Sequence, residues 1–520
     1  RRKSRRRRRE SEEEAEEDCT VFMIVVLALI GLTVADEMTG GAVLDPLRER
    51  FPALRAELPA FDVRRVDRSI DRATRYICAA ADEDGKFAYA VKVKDGVAQA
   101  NDDYNVLRHA GTIYALIDSC YFNAPQASVR AKYCACAPDT VNSTVEWLVR
   151  EAIWPIPNLE LSGVYKPHGD PFNPPTAADG RVFPQERYRL TLGGQGLAMM
   201  ALSMANQVQP GLVEWDTVEE IGEFVTQHLQ KDDGSFYFFW FPHKEPFGAS
   251  DQPSSLYYPG EAALGLIYLY EGLKEQGKDD AAAAYLEGAA KGLEALANER
   301  EDWHQEDIPP DHWALKATAR ILGHLPEARH DKLLKHAASV LTTIYAFEED
   351  LLSYDEELGV STMGTLLEAQ FAMLPIFHEK RSYYDNVDQA WCLAQKEAFL
   401  LCEAQDQDSP AHMLGALPHN LKVKNEVDYK KKANMMENNI VRTIKGSDGF
   451  YQIDDTQHVL SAWLSYKEAL ESGLSEIDCS QVALPPLIDS LFDGLKAGAG
   501  QKDEKKKKRK KKKKKGKRKG

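Results

Sequence analysis

Hydrophobic residues recur at helical spacing along most of this chain, in two alternating kinds of segment. The first kind carries its apolar residues on one face only. In the earliest such segment Val66, Ile70, Ala73 and Ile77 follow the spacing i, i+4, i+7, i+11, and charged residues lie between them. This stripe is typical of a helix with one face in solvent. Similar segments are expected at 140–152, 218–229, 286–296, 333–347 and either 387–403 or 433–444.

The second kind of segment is rich in glycine and alanine and apolar on most sides. A helix of that composition is enclosed by other helices, because it has no face suited to water. Six such segments alternate with the amphipathic ones, at 107–118, 192–205, 259–272, 311–322, 362–374 and 456–470. The alternation predicts an all-α fold, an α6/α6 toroid of six helical hairpins in two concentric rings, over residues 65–500. Period-2 alternation is not convincing over any segment of that length, so a large sheet is not expected.

Three short turns of similar sequence support the repeat. Asp82–Phe87, Asp232–Phe236 and Ser447–Phe450 each lie between an amphipathic segment and an enclosed one. In a toroid, all the turns from an outer to an inner helix lie at one end, which we call the mouth. The inner helices therefore begin together at the mouth, with the positive ends of their dipoles facing it.

The two ends of the chain differ from the body in composition. Residues 1–19 are a basic run followed by an acidic run, and residues 501–520 are almost pure lysine, so both are predicted to be disordered tails. Residues 20–35 hold sixteen residues without a charge and are predicted to be a signal peptide or a single-pass signal-anchor, followed by a linker at 36–64. This segment predicts a membrane-anchored or secreted protein whose body is lumenal or extracellular.

Charge limits the partners of the body. Without residues 1–18 and 502–519 the chain holds 42 Lys+Arg and 72 Asp+Glu. Such an acidic body repels nucleic acid and suits a neutral or cationic ligand. The eight cysteines include no C-x-x-C pair, so no metal or cofactor is predicted, and their disulfide connectivity cannot be deduced. Asn142-Ser143-Thr144 is a glycosylation sequon and supports secretion only weakly.

Several short sequence motifs, or words, along the chain are distinctive in combination. They are Arg108–Thr112 (RHAGT), Tyr257–Ala263 (YYPGEAA), Asp311–Trp313 (DHW) and Ile453–His458 (IDDTQH). With these words the chain resembles the six-hairpin α/α-toroid proteins, and more narrowly a poorly characterised bacterial group with RHAGT, YPGEA, DHW and QH-x-x-SA words in this order. The resemblance implies a toroid from about residue 65 to 470. It implies glycoside hydrolase, sugar epimerase or uronate lyase activity, although terpene cyclases share the fold.

The mouth collects the candidate site residues. Carboxylates and histidines suit acid/base work on a sugar, while aromatic rings cover its apolar faces. The predicted catalytic residues are Glu261, Asp311, His312, Asp454, Asp455, His109 and His458. The predicted substrate-binding residues are Arg108, Asp233, Trp240, Tyr257, Tyr258, Trp313 and Tyr451.

Structural roles compete with these assignments. Asp311 follows two prolines and has the character of a helix N-cap, and Asp233 lies in an Asp-Gly turn. Glu261 follows a proline at a helix start, while His109 and His458 are equally consistent with satisfied interior histidines. The glycines of Gly193-Gly194-Gln195-Gly196 lack the context of a nucleotide-binding loop and indicate close helix packing instead.

The first functional prediction is a carbohydrate-active enzyme that hydrolyses a glycosidic bond with two carboxylates among Glu261, Asp311, Asp454 and Asp455. An epimerase or uronate lyase, using His109, His312 or His458 for proton transfer, is the alternative on the same fold. A non-catalytic glycan-binding or scaffolding toroid is a third possibility. A terpene cyclase is suggested by Gln230–Phe236 but disfavoured, because the body contains no DxDD or DDxxD word.

Overall fold

The structure is a computed structural model that describes residues 63–101, 103–122, 134–167, 188–242, 248–250, 255–354, 357–405, 413–428, 439–446 and 449–484. The described residues from Arg64 onward belong to one compact unit. The predicted tails, the hydrophobic segment 20–35, nearly all of the linker at 36–64 and the Asp448 turn residue lie outside the described residues.

Six long helices form the amphipathic set within the described part of the chain. They are α1 (Val63–Ala80), α3 (Ala137–Ala152), α5 (Trp215–Phe224), α7 (Asp279–Arg300), α9 (His330–Tyr354) and α11 (Val387–Ala404). In α1 the buried face includes Val66, Ala73 and Ile77, while charged residues such as Arg75 remain exposed. The predicted one-sided stripe thus corresponds to the face that packs on the inner ring.

The enclosed set is equally complete. It comprises α2 (Val106–Ile117), α4 (Leu192–Val208), α6 (Tyr258–Glu275), α8 (His312–Ile321), α10 (Val360–Glu379) and α12 (Ile453–Glu471). Each of these helices packs on the next, from α2 to α12, and α12 packs back on α2. This closure defines an inner ring, and the predicted α6/α6 toroid is confirmed.

Glycines in the inner ring allow this packing. A methyl group on Gly196 of α4 would overlap the backbone carbonyl of Glu261, and one on Gly265 of α6 would overlap the backbone of Gly196. A side chain on Gly260 would likewise collide with the backbone of α8. The predicted role of the Gly193–Gly196 run in close helix packing therefore agrees with the structure.

The connections from outer to inner helices hold all of the described strands. These are β1 (Ala90–Lys94), β2 (Val97–Ala100), β3 (Ile153–Pro155), β4 (Ser162–Pro167), β5 (Tyr188–Thr191), β6 (Phe239–Phe241), β7 (Gly248–Ser250), β8 (Glu357–Gly359), β9 (Asn420–Asp428), β10 (Asn439–Gly446) and β11 (Phe450–Gln452). They form three sheets, in the orders β11-β1-β2, β10-β9-β8 and β3-β4-β5-β6-β7. All paired neighbours are antiparallel, for example Val91 opposite Tyr451.

These small sheets are absent from the prediction. Apart from β9 and β10, their strands have at most six residues, which is too short to show a clear period of two. The placement of an outer helix at 433–444 is wrong, since residues 439–446 form strand β10 and α11 fills the outer position. The absence of a large sheet is consistent with the prediction for the described residues.

Two turn glycines show how the repeats are joined. Gly85 and Gly234 both have positive φ, a conformation that glycine adopts at little cost, and both lie against the backbone of an outer helix. Gln230, which suggested a terpene-cyclase word, donates its amide hydrogens to the carbonyl oxygens of Gly234 and Gly288. Gln405 makes the same pair of bonds to Ser69 and Gly415. The sequence motif at 230–236 is therefore part of a hydrogen-bonded connection between helices that recurs in the repeat.

Three disulfides link the described cysteines. Cys78 pairs with Cys136, Cys120 with Cys134 and Cys392 with Cys479, while Cys402 is free and buried. Among the described helices, Val360–Glu379 is long and apolar enough to cross a membrane, and about two thirds of it is buried inside the protein. Its position in the inner ring accounts for its apolar composition.

Candidate functional site

Two histidines meet at the mouth. His312 lies in the first turn of α8 and His458 in the second turn of α12, and their ring centroids are 5.7 Å apart. Both side chains are almost completely buried. Neither ring nitrogen of His312 has a hydrogen-bond partner among the described residues. Burial, aided by His458, Lys316 and Arg108, holds the pKa of His312 well below its usual value. His312 is therefore a neutral imidazole at pH 7.

His458 is held by charged partners inside the ring. Its Nδ1 lies 2.7 Å from Oε1 of Glu368, a fully buried residue of α10. Glu368 also forms an ion pair with Lys316 of α8, whose Nζ lies 3.2 Å from the hydroxyl of Tyr114 on α2. Burial raises the pKa of Glu368, but the charge of Lys316 and the contact with His458 outweigh it, so the pKa is lowered overall.

Arg108, Asp454 and Tyr257 lie at the inner-helix starts around this pair. Nε of Arg108 is 3.0 Å from Oδ2 of Asp454, and about a third of the Arg108 side chain is exposed. The ring of Tyr257 meets His312 edge-on at 4.6 Å between centroids. Burial and the charge of Asp311 raise the pKa of the Tyr257 hydroxyl, which therefore remains protonated. These groups form the polar wall of the site.

Glu261 is a further carboxylate near the mouth. It lies in the first turn of α6 and is 4 % exposed. Its carboxylate rests against Gly193 of α4, where a methyl group would overlap it. Gly193 therefore provides the space that this side chain occupies.

Asp311 is directed to the space between the rings. Its Oδ1 accepts a hydrogen bond from the backbone N–H of Ala314, which makes it the N-cap of α8. Its Oδ2 is 2.9 Å from Arg300 of the outer helix α7, and both side chains are at most 5 % exposed. Asp311 and His312 are adjacent in sequence but have separate surroundings, and this placement favours the N-cap role.

Asp455, like Asp311, makes hydrogen bonds that stabilise the start of a helix. Its carboxylate accepts the backbone N–H of Gln452, forming a capping box at the start of α12, and lies 3.1 Å from Nδ1 of His419. Burial raises the pKa of Asp455 to about 6, although the hydrogen bond from His419 opposes the rise. Its neighbour Asp454 faces Arg108, so the two carboxylates serve different parts of the mouth.

His109 lies outside the histidine pair. Its Nε2 is 2.9 Å from the carbonyl oxygen of Thr144 on α3, and its ring stacks on Trp147 of the same helix. Burial lowers the pKa of His109 to about 4, against the raising effect of the Thr144 carbonyl. His109 therefore packs between the inner and outer rings, which favours the interior role.

The predicted binding residues divide between the site and its surroundings. Trp313 is close to it, with its ring 5.0 Å from His312 and 6.2 Å from His458. Tyr258 packs on Phe239 and Gly193, and Tyr451 is a buried residue of β11.

Trp240 and Asp233 lie elsewhere. Trp240 meets Phe224 and His228, in the outer helix α5 and just after it. Asp233 is exposed, and hydrogen bonds from Ser235 lower its pKa.

Three residues of the site were missed by the sequence analysis. Tyr114, Lys316 and Glu368 lie within segments classed as enclosed and apolar. Glu368 is the single charged residue of segment 362–374, and that is a usable signal, because burying a lone charge is costly and indicates a partner. Across the described residues, no group of three or more His, Cys, Asp or Glu is positioned to hold a metal.

Comparisons with known proteins give weak similarities. No protein-family model matches the chain, and no curated protein sequence matches it. The structure is similar to that of a D-mannose isomerase (13 % identity, TM-score 0.46, covering 80 % of this chain and 99 % of that one). It is also similar to a cellobiose 2-epimerase from Spirochaeta thermophila (12 %, 0.46, 82 % and 100 %). A family 76 glycoside hydrolase (mannosidase) from Bacteroides thetaiotaomicron is a further match (10 %, 0.41, 78 % and 99 %). At this level the chemistry of the site has to be argued from its own residues.

Proposed function

We propose that this protein is a carbohydrate-active enzyme that moves a proton at a carbon next to a sugar carbonyl, as an isomerase or an epimerase does. The observation that carries the proposal is the pair of buried imidazoles, His312 and His458, with ring centroids 5.7 Å apart at the mouth. Histidine is the side chain best suited to accept and return a proton near neutral pH. A sugar is favoured over other carbonyl compounds because aromatic rings and polar groups share the wall.

The chemistry balances without a further reactant. One imidazole removes the proton, the C–H electron pair moves into the carbonyl, and an enediolate forms. Return of the proton to the other face of the same carbon gives the epimer. Return to the neighbouring carbon, with the hydroxyl proton passing from the second oxygen to the first, gives the isomer. We assign stabilisation of the negative oxygen to Arg108 and Tyr257, since donors at a charge-developing atom contribute most to catalysis.

Hydrolysis of a glycosidic bond is less well supported. It needs two carboxylates flanking the bond. Of the four predicted, Asp311 pairs with Arg300 and Asp455 with His419, which leaves Glu261 and Asp454. Asp454 is 3.0 Å from Arg108. Asp454 is therefore also engaged by a cation, so the four do not supply two unengaged carboxylates to flank the bond.

Deuterium exchange separates the two reactions. The protein is incubated in D2O with a panel of aldoses, ketoses and disaccharides. Proton NMR follows exchange at the carbon next to the carbonyl, which is C2 of an aldose and C1 or C3 of a ketose, and release of monosaccharide. The proposal expects exchange that is lost in His312→Ala and His458→Ala. Release of monosaccharide without exchange, abolished by Glu261→Gln or Asp454→Asn, would instead establish hydrolysis. If neither occurs, the non-catalytic alternative gains support.

We further propose that the body lies outside the cytoplasm. The three disulfides support this location, because structural disulfides persist in oxidising compartments. The sequon is a poor test, since Asn142 lies within helix α3 and Thr144 is fully buried. Protease protection of the body in sealed membranes or its recovery from the medium is the direct measurement. A cytosolic body with free thiols would contradict the proposal.

A further inference from the structure

A buried chain of polar groups crosses the interior of the inner ring beneath the histidine pair. It runs from Tyr114 on α2 to Lys316 on α8, Glu368 on α10 and His458 on α12, so four different helices contribute one residue each. The exposed fractions are 8 % for Lys316, 2 % for the His458 side chain and zero for Glu368. These groups are therefore almost entirely removed from solvent, so their interactions with one another are strong.

The contacts fix the direction of each hydrogen bond. Lys316 donates to Glu368 and to the Tyr114 hydroxyl, and its Nζ also lies 4.8 Å from the centroid of the Trp313 ring. Glu368 as a carboxylate only accepts, so Nδ1 of His458 is the donor at 2.7 Å. The other group near Nδ1 is the Gln457 amide nitrogen at 3.4 Å, which is also a donor and cannot take the proton from it. A neutral His458 therefore carries its proton on Nδ1, and its Nε2 is then an acceptor.

This arrangement depends on Lys316. A carboxylate buried without a cation is strongly disfavoured and takes up a proton instead. A protonated Glu368 would donate to Nδ1, and the proton of a neutral His458 would move to Nε2. If Glu368 instead stayed ionised, His458 would have to become the cation. Either response removes the free acceptor nitrogen.

We propose that Lys316 is a positioning residue that keeps Glu368 an acceptor and so holds His458 as the Nδ1–H tautomer, with Nε2 free to act as the base. Its role in catalysis rests on the proposed proton transfer, whereas its effect on the tautomer does not. The Tyr114 hydroxyl and the Trp313 ring hold the ammonium group in place, since cations bind favourably near aromatic faces.

The test measures the tautomer directly. The full-length protein is labelled with 15N-histidine, the His458 signals are assigned with His458→Gln, and two-bond 15N–1H spectra are recorded at pH 7.5. Wild type is expected to show a protonated Nδ1 and an unprotonated Nε2. Lys316→Met is expected to lose that pattern, giving either the Nε2–H tautomer or the imidazolium. Lys316→Gln, which keeps a donor but not the charge, is made alongside in case Lys316→Met does not fold.

A matched control comes from the opposite end of the ring. Lys274 also donates to a tyrosine, with Nζ 3.1 Å from the hydroxyl of the buried Tyr270, but Lys274 itself is exposed. Lys274→Met should leave the His458 signals unchanged. A wild-type His458 protonated on Nε2, or an unchanged tautomer in both folded Lys316 variants, would overturn the proposal.

Activity gives the second readout. Loss of the free base should lower kcat by about 10²-fold with little change in KM, because proton transfer by a positioned base contributes that much or more. A shifted tautomer together with absent sugar turnover in wild type would retain the positioning role and refute the proposed function. Normal turnover and an unchanged tautomer in the Lys316 variants would refute the positioning role alone.

Discussion

The two ends of the ring differ in construction and in the environment of their charged groups. At the mouth, the connections from outer to inner helices carry all of the described strands. At the opposite end, connections such as 276–278 between α6 and α7 and 322–329 between α8 and α9 are short and hold no described strand. Long connections can place side chains over a cavity, whereas short ones only reverse the chain.

A glutamate–histidine contact of the same length occurs at both ends of the ring, in different surroundings. Glu368 is 2.7 Å from His458 beneath the mouth, and Glu271 is 2.7 Å from His324 at the opposite end. The first pair is at most 2 % exposed, but the second is 15 % and 26 % exposed. Where water is excluded, both the attraction between two charges and the cost of desolvating them are larger. Two contacts of the same length therefore differ in their effect on stability and protonation.

Two surface clefts also belong to the opposite end. One has a volume of about 340 Å³ and is lined by residues that include Lys274, His324 and Arg329. A neighbouring cleft of about 450 Å³ includes His330 and Lys380. Arg329 is already paired with Glu287 and Glu294 there. A cleft alone therefore does not locate the chemistry, and the proposed site rests instead on the buried imidazole of His312, whose nitrogens have no hydrogen-bond partner among the described residues.

The largest effect is expected from removing a histidine at the mouth. His312→Ala and His458→Ala should each lower kcat for proton exchange by about 10²- to 10⁴-fold, the range for a general acid or base. His324→Ala at the opposite end should stay within about 3-fold of wild type, since surface substitutions are usually mild. Deuterium exchange at the carbon next to the carbonyl measures all three. Equal losses at both ends would abolish the distinction between them.

Asp311→Asn should destabilise the fold strongly. It leaves the buried guanidinium of Arg300 without its carboxylate, and breaking a buried pair costs about 3–5 kcal/mol. Glu271→Gln removes a partner of Arg320, which is 39 % exposed, so at most about 1 kcal/mol is expected. Denaturant unfolding compares the two. A stable but inactive Asp311→Asn would instead return Asp311 to the catalytic residues.

His109 should make the fold sensitive to acid. Its pKa is about 4 in the folded state and 6.5 in the reference state, so the unfolded chain takes up the proton first as the pH falls. This contribution is present above pH 6.5 and is lost progressively down to about pH 4, with a size of about 3 kcal/mol. His109→Gln should flatten that part of the stability profile. An unchanged slope would place His109 in contact with solvent.

The smallest effects concern the glycines of the two regions. Gly196→Ala should cost about 1–3 kcal/mol, because its methyl group overlaps the Glu261 carbonyl and the helices cannot separate freely. Gly323 lies in the connection after α8, where the nearest atom to an added Cβ is 3.7 Å away. Gly323→Ala should therefore be neutral or stabilising by up to about 1 kcal/mol. Melting temperatures distinguish the pair, and a neutral Gly196→Ala would show that the inner ring is loosely packed.

The helices and their order were readable from the sequence because each amphipathic stripe and each enclosed segment is a local pattern. The stripe of Val66, Ala73 and Ile77 already states which face of α1 is buried. The short strands β3 to β7 were not readable, since three to six residues cannot display a period of two. Segment 433–444 was misread for a related reason, because a short amphipathic pattern does not distinguish a strand from a helix.

The site required the tertiary structure. Asp311 and His312 are neighbours in sequence, yet the start of α8 turns the first toward Arg300 and the second toward His458, since successive helical residues point about 100° apart. Conversely, Lys316 and Glu368 are 52 positions apart and meet inside the ring. The sequence by itself determined which residue types reach the inner helices. Closure of the ring decided which of these residues form hydrogen bonds with one another. Closure sets the distances between side chains on different helices, and it removes the solvent that would otherwise stabilise their charges.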